Sequence, residues 1–253
     1  MVAGCISTIS RMARGWQSPR KGLRILMYHA VGSDIPGDPK KLFNIRPDLF
    51  QIHINTLKNN KNINLVPLTA NNKSYDSTDV AITFDDGYRD NLYIVAPLLT
   101  ENNIPFTVFV TSDFIASNDS LYLNKNELRE LIKLPGVTIG SHGKTHSRLT
   151  CCTNAKLKNE LVSSKLFLED LLGIGVKHLS YPHGDVDARV RNAAIDAGYT
   201  LGATSYFNIN HAEQDLLMLN RTNIISYDSR YSLTMKVEGD WDWYSWHNSL
   251  RRR

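Results

Sequence analysis

Long hydrophobic runs are what this chain of 253 residues most clearly lacks. No stretch approaches the roughly eighteen continuous apolar residues that a membrane helix needs, so no spanning segment is expected. The opening residues, 1–22, lack the uninterrupted apolar core that precedes a signal cleavage site, and they read as uncleaved. Cys5 likewise has no apolar run before it of the kind a lipid anchor follows. Cysteine is scarce, at three residues, and Cys151 and Cys152 are neighbours that are poorly placed to bridge each other. With no even disulfide framework, a reducing, cytoplasmic setting is expected. An excess of charge of one sign is lacking as well. The net charge of +4 is spread along the chain apart from the closing Arg251, Arg252 and Arg253, which gives no case for nucleic acid. No G-x-S-x-G elbow occurs, which argues against a serine hydrolase of that type.

What is present is an ordinary globular composition, 42% apolar and 21% charged, at a length that suits one α/β domain. Short β-rich runs alternate with longer segments of helical period, the pattern of βα units on a largely parallel sheet. Strands are expected at Arg24–Tyr28, Val80–Phe84, Phe106–Thr111, Val137–Gly140, His178–Tyr181, Tyr199–Ala203 and Thr222–Ser226. Helices are expected at Asp48–Asn59, Asn91–Glu101, Asn154–Leu172 and Val186–Ala197, the third with Thr153 as N-cap and Gly173 as stop. Residues 70–78 and 118–126 read as polar surface loops. Ahead of the domain, Ile6, Ile9, Met12 and Trp16 interleave with Arg11, Arg14 and Arg20. The choice there is between a basic arm that touches an anionic membrane surface and a frayed terminus. The expected division is an arm over 1–22, a catalytic domain over 23–240 and an aromatic, basic tail over 241–253. For Trp241, Trp243, Tyr244 and Trp246, packing against the domain is preferred to stacking on sugar rings.

Two segments carry chemistry. The strand pattern of residues 80–84 ends in Asp85-Asp86-Gly87, two carboxylates at the edge where α/β barrels hold their reactive groups. Adjacent acids point in different directions, so one can ligate a cation while the other acts on water. A second strand edge supplies Ser141-His142-Gly143-Lys144-Thr145-His146, whose two histidines can converge on one ion. With Asp86 they make an N₂O set that leaves positions open for water and substrate. Alone, an Asp-Asp-Gly is most often a solvated turn and a His-x₃-His a surface helix. Cys151 and Cys152, near His146, read as small apolar residues beginning the next helix rather than as ligands.

ITFDDGY at 82–88, SHGKTH at 141–146 and LSYPHGD at 179–185, in that order, resemble the polysaccharide deacetylase family, carbohydrate esterases with a NodB-like domain. ILMYHAVG at 25–32, NIRPDLFQIHINTLK at 44–58 and LMLNRTNI at 217–224 resemble its bacterial exopolysaccharide branch. The resemblance spans roughly residues 23–240. It implies a distorted (β/α) barrel and removal of N-acetyl groups from aminosugars of a polysaccharide or lipid-linked glycan. It also implies a divalent metal, zinc first with cobalt, nickel or manganese as alternatives, held by Asp86, His142 and His146. Asp85 would be the base on water held there, and the backbone in the stretch Tyr181, Pro182, His183, Gly184 would meet the oxyanion. The family's late histidine motif is missing. His29, ending the apolar run Ile25–Tyr28, has the required form for the acid that protonates the departing amine.

Three departures matter. His183 stands where tyrosine is usual, Leu179 and Ser180 stand where many members place an arginine that orients the base, and Gly143 removes a hydroxyl beside His142. Tuning of Asp85 must then come from elsewhere. The competing functions are a sugar deformylase or other amide hydrolase, and a carbohydrate-binding protein of the same fold with little turnover.

Overall fold

The computed structural model describes residues 21–69 and 77–243. Residues 1–20 of the arm, 70–76 of the first expected loop, Tyr244, Trp246 and the closing arginines lie outside the described residues, and Gly22 already belongs to β1. In chain order the elements are β1 (Gly22–Tyr28), β2 (Ala30–Val31), β3 (Asn44–Ile45), α1 (Pro47–Lys58), β4 (Ile63–Leu65) and β5 (Thr78–Phe84). A π-helical turn, Asn91–Val95, then runs into α2 (Ala96–Glu101), followed by β6 (Phe106–Val110), α3 (Ser112–Ser117), α4 (Lys125–Leu131) and β7 (Val137–Ser141). The chain continues through α5 (Asn154–Leu172), β8 (His178–Ser180), α6 (Ala188–Asp196), β9 (Leu201–Ala203), β10 (Thr222–Asn223) and α7 (Arg230–Glu238).

The main sheet is parallel in the order β10-β1-β5-β6-β7-β8-β9, with β4 also paired to β5. β1 lies along β5 in full register from Gly22↔Thr78 to Tyr28↔Phe84. All seven residues of β1 are buried, because one face of the strand lines the barrel and the other meets helices. The seam between β9 and β10 is closed by the chain that leads into β10. Gly202 N donates to Leu216 O and Thr204 N to Leu219 O, each at 2.8 Å, and Thr222 then pairs with Leu26. The result is the distorted (β/α) barrel that the sequence leads one to expect.

The larger core lies between sheet and helices and includes Phe50, Ile54, Leu161 and Leu168; the smaller fills the barrel with Leu23, Ile25, Ala81, Phe109 and Leu201. α5 forms as its sequence prescribes, with the Thr153 side chain accepting from Lys156 N and Gly173 in the left-handed conformation at φ 68. α6 is capped by Asp187, whose side chain accepts from Val190 N. Residues 241–243 belong to this packing. Asp242 makes a buried bidentate pair with Arg24 (2.7 and 3.1 Å), and Trp241 and Trp243 stack at 6.2 Å. Among the described residues no helix is long and apolar enough to cross a membrane.

Candidate active site

Strand alternation decides which side chains reach the barrel mouth. On β1, Leu23 and Ile25 point into the barrel, and the same face continues to Met27 and His29 at the rim. β5 carries Ala81 and Thr83 on the face that ends in Asp85, and the segment into β10 presents Arg221 and Asn223. These rim residues line one cleft of about 650 Å³ together with Asp86, His142, His146 and His183. The cleft opens at the carboxyl ends of the strands, where the barrel's connecting loops gather.

Left-handed backbone shapes the site. Among the described residues six non-glycines have positive φ, and three are Asp86 (74°), His146 (59°) and His183 (61°). Such conformations cost of order 1–3 kcal/mol and collect at ligand clamps. Gly87 follows Asp86 at φ 79, and a Cβ there would sit 2.8 Å from Val110 Cγ1, so the turn that aims Asp86 requires glycine.

Asp86, His142 and His146 offer ligand atoms that all lie within 4.8 Å of one another. Asp86 Oδ1 is 3.5 Å from His142 Nε2 and 3.3 Å from His146 Nε2. His142 Nδ1 lies 2.8 Å from Ser180 O. A carbonyl only accepts, so the proton belongs on Nδ1 and the lone pair of Nε2 faces Asp86. Burial lowers the pKa of His142 to about 3 and also lowers that of His146, which keeps both rings neutral at neutral pH. Burial, with Asp85 adding to it, pushes Asp86 up to about 6, while His29 and the Tyr88 hydroxyl pull against this. Asp86 Oδ1 is buried with no hydrogen-bond partner. Two neutral imidazoles and an orphaned carboxylate oxygen, with one histidine side chain still 26% exposed, fit an open divalent-cation site.

Asp85 is treated differently. Burial alone would raise its pKa, but Arg221, by charge and hydrogen bonds and with His142 and His29 adding to it, holds it well below the usual carboxylate range. Arg221 Nη1 and Nη2 reach Asp85 Oδ1 and Oδ2 at 2.7 Å each, and Ser180 Oγ donates to Asp85 Oδ2 at 3.2 Å. Arg221 also donates from Nε to Thr204 O (2.8 Å), so the guanidinium is fixed to the seam of the barrel. The arginine missing before Tyr181 is thus supplied from a distant part of the chain. It stands inside the LMLNRTNI stretch, and nothing in its local spacing reveals its target.

The loop holding His146 is braced by Glu160 of α5, 1% exposed. Glu160 Oε2 accepts from Lys144 N and Thr145 N at 2.9 and 2.8 Å, and Oε1 from the Thr145 hydroxyl at 2.6 Å. Ser164 Oγ donates to Gly143 O at 2.9 Å, which offsets the hydroxyl lost at Gly143. Of the stretch 181–184, His183 and Gly184 line the cleft. Tyr181 is fully buried and its hydroxyl donates to Leu217 O, so its side chain belongs to the core. The His183 ring lies 4.5 Å from that of His146. His29 also lines the cleft, with its ring 4.7 Å from that of Phe43. Cys151 is exposed and Cys152 buried in the 3₁₀ turn before α5, and neither joins the ligand cluster.

Known proteins share both the sequence and this shape. The chain is 28% identical to YxkH of Bacillus subtilis, a protein named for a polysaccharide deacetylase, over 82% of this chain and 73% of the relative. It is 30% identical to chitin deacetylase 1 of Cryptococcus neoformans over 47% of this chain, but spans only 24% of that protein. The deacetylase PplD of Streptococcus pyogenes, solved in complex with acetate, superposes with a TM-score of 0.75 at 25% identity, covering 87% of this chain and 99% of the other. A de-N-acetylase of Aggregatibacter actinomycetemcomitans, at 19% identity and a TM-score of 0.72, has the same fold over 85% of this chain and 99% of its own. The polysaccharide deacetylase sequence model matches residues 72–202, which run from the strand that ends in the paired aspartates to β9. By its sequence, its barrel and its Asp-His-His cluster, the chain belongs to the polysaccharide deacetylase family.

Proposed function

We propose that this protein is a metal-dependent carbohydrate N-deacetylase that hydrolyses the N-acetyl groups of aminosugars in an exopolysaccharide or a lipid-linked glycan. The observation that carries this reading is the division between two adjacent carboxylates. Asp85 is locked and anionic on Arg221, while Asp86 turns an unpartnered oxygen toward two neutral imidazoles. Acetate bound to PplD is in keeping with an acetyl product.

A divalent cation held by Asp86, His142 and His146, with zinc the first choice, would supply Lewis acidity at the acyl carbonyl and make nearby water more acidic. Asp85 takes the proton from the attacking water. Its pairing with Arg221 keeps it ionised at every working pH and fixes the direction of its oxygens. The backbone N–H of His183 would meet the oxygen on which negative charge develops, since Gly184 N donates to Tyr181 O at 2.7 Å, Tyr181 N donates to Ala203 O and Pro182 has no N–H. His29, in the same cleft, gives a proton to the nitrogen as the C–N bond breaks, which yields acetate and a free amine. The basic arm at 1–22 suits a glycan assembled on a lipid at the inner membrane face.

The test is acetate release from N-acetylated chitooligosaccharides and lipid-linked aminosugars by purified protein, before and after chelation and with metal restored. Release that returns with metal and is abolished in Asp85→Asn supports the reading. Formate in place of acetate moves the protein to the deformylases, and no release from metal-loaded protein leaves a binding role.

A further inference from the structure

His29 reaches the cleft with little to hold its ring. Nδ1 is buried and has no hydrogen-bond partner, and the ring leans on Phe43. Its main chain, by contrast, is held from the segment that follows the paired aspartates. Asn91 Nδ2 donates to His29 O at 3.4 Å, and Asp90 Oδ2 accepts from Val31 N and Ser33 N at 2.9 and 3.2 Å. The other oxygen, Asp90 Oδ1, accepts from Asn91 Nδ2 at 2.9 Å. Asp90 is 5% exposed and Asn91 0%. Asn91 opens the π-helical turn, and such turns recur at functional sites. Both oxygens of Asp90 face donors, so an amide cannot replace the carboxylate. Whichever way an asparagine is turned, its NH₂ meets an N–H.

We propose that Asp90 and Asn91 are positioning residues for His29, fixing its carbonyl and the main chain that follows it so that the imidazole stands over the departing nitrogen. This rests on the reading of His29 as proton donor. When an amide is cleaved, the C–N electron pair goes to nitrogen, which must gain a proton as the bond breaks. When 4-nitrophenyl acetate is cleaved, the C–O pair leaves with 4-nitrophenolate, a stable anion that needs none. Positioning the donor therefore matters for the first substrate and not for the second.

The experiment compares both substrates with metal-loaded wild type, Asp90→Asn, Asn91→Ala, His29→Ala and the double variant Asp90→Asn/His29→Ala. For Asp90→Asn, kcat on an N-acetylated chitooligosaccharide is expected to fall about tenfold to a hundredfold, with KM and aryl-ester turnover within about twofold of wild type. His29→Ala shows the same split, and the double variant is no slower on the amide than His29→Ala alone. In metal-free Asp90→Asn, amide hydrogens of Val31 and Ser33 exchange faster than in wild type. Asn91→Ala, which leaves the charge unchanged, gives a smaller split in the same direction and serves if Asp90→Asn does not fold. Equal loss on both substrates in the Asp90 and Asn91 variants, beside a split in His29→Ala, overturns the positioning role and leaves the donor reading intact. Equal loss in His29→Ala overturns the donor reading and this inference with it.

Discussion

Arg221 and Asp85 are joined by two parallel hydrogen bonds of 2.7 Å and are 1% and 2% exposed, so each charge depends on the other. Removing one partner of a buried pair leaves an uncompensated charge, at a cost of about 3–5 kcal/mol. Arg221→Ala is expected to lose that much stability at pH 8, read by urea unfolding. The sign of the pH dependence follows from what remains. In the wild type Asp85 titrates below the ordinary carboxylate range, so the stability from the pair is present above that range and is lost as pH falls through the depressed value. In Arg221→Ala burial acts without its main counterweight and pushes the carboxyl upward. Its penalty is then present at pH 8 and fades as acidification protonates it. The stability gap between the two proteins should narrow between pH 8 and pH 5, and an unchanged gap would show that Asp85 is not the group involved. Arg221→Lys keeps a charge but loses the fork, and recovers only part of the stability and of the acetate release.

α5 shows how an element several turns long serves a loop of three residues. Glu160 on its inner face holds Lys144 N, Thr145 N and the Thr145 hydroxyl, and so sets the approach of His146. Groups that orient a metal ligand typically matter at the level of 10–100-fold in affinity. Glu160→Gln is therefore expected to weaken zinc binding by about tenfold or more, measured by competition with a chromophoric chelator, while α5 stays folded by circular dichroism. Unaltered affinity would make Glu160 a loop brace with no bearing on the cation. At the N-terminus of α4, Asn124 and Glu127 form a reciprocal capping box, and Asn124→Ala should cost about 1 kcal/mol in thermal unfolding. These elements also mark where the sequence was legible. The seven main-sheet strands were readable because each lies in a run rich in apolar and β-branched residues, even where the strand itself is as short as β10, and α5 because Leu157, Leu161 and Leu168 fall on one buried face between Thr153 and Gly173. β2, β3 and β4, of two or three residues each, and α3, of six, stand in no longer apolar run and leave no period of their own. The candidate cation ligands Asp86, His142 and His146 were readable as a set because they sit in two compact motifs, and the structure gathers their ligand atoms within 4.8 Å of one another. Arg221, Glu160 and Asp90 were not, since each acts on a partner far along the chain or in another element, and only the closed barrel brings them together.

At the scale of the whole molecule, the barrel collects at one rim groups from residue 29 to residue 221, and it does so at a cost in stability that a cation can relieve. Asp86 is buried where its charged form is disfavoured, and its pKa moves from 3.8 to about 6, a difference worth about 3 kcal/mol. The direction is opposite to that of Asp85. A raised folded pKa means that stability is full below pH 3.8 and is lost as pH rises through about 6, because the unfolded chain ionises its carboxyl freely and the folded one does not. On the proposed reading, a cation at Asp86, His142 and His146 would bind the ionised carboxylate and so restore stability in the range where the metal-free protein has lost it. Below about pH 6 a proton competes for the same oxygen. At a concentration of zinc near 100 times Kd the gain is about 2.7 kcal/mol, enough to read as several degrees in melting temperature. The rise in melting temperature between chelated and zinc-loaded protein should therefore be large at pH 8 and small at pH 5. In Asp86→Asn, which cannot ionise, the chelated protein should be more stable than chelated wild type at pH 8, and zinc should add little. A zinc-induced rise of equal size at both pH values, or one that survives in Asp86→Asn, would place the cation elsewhere on the molecule.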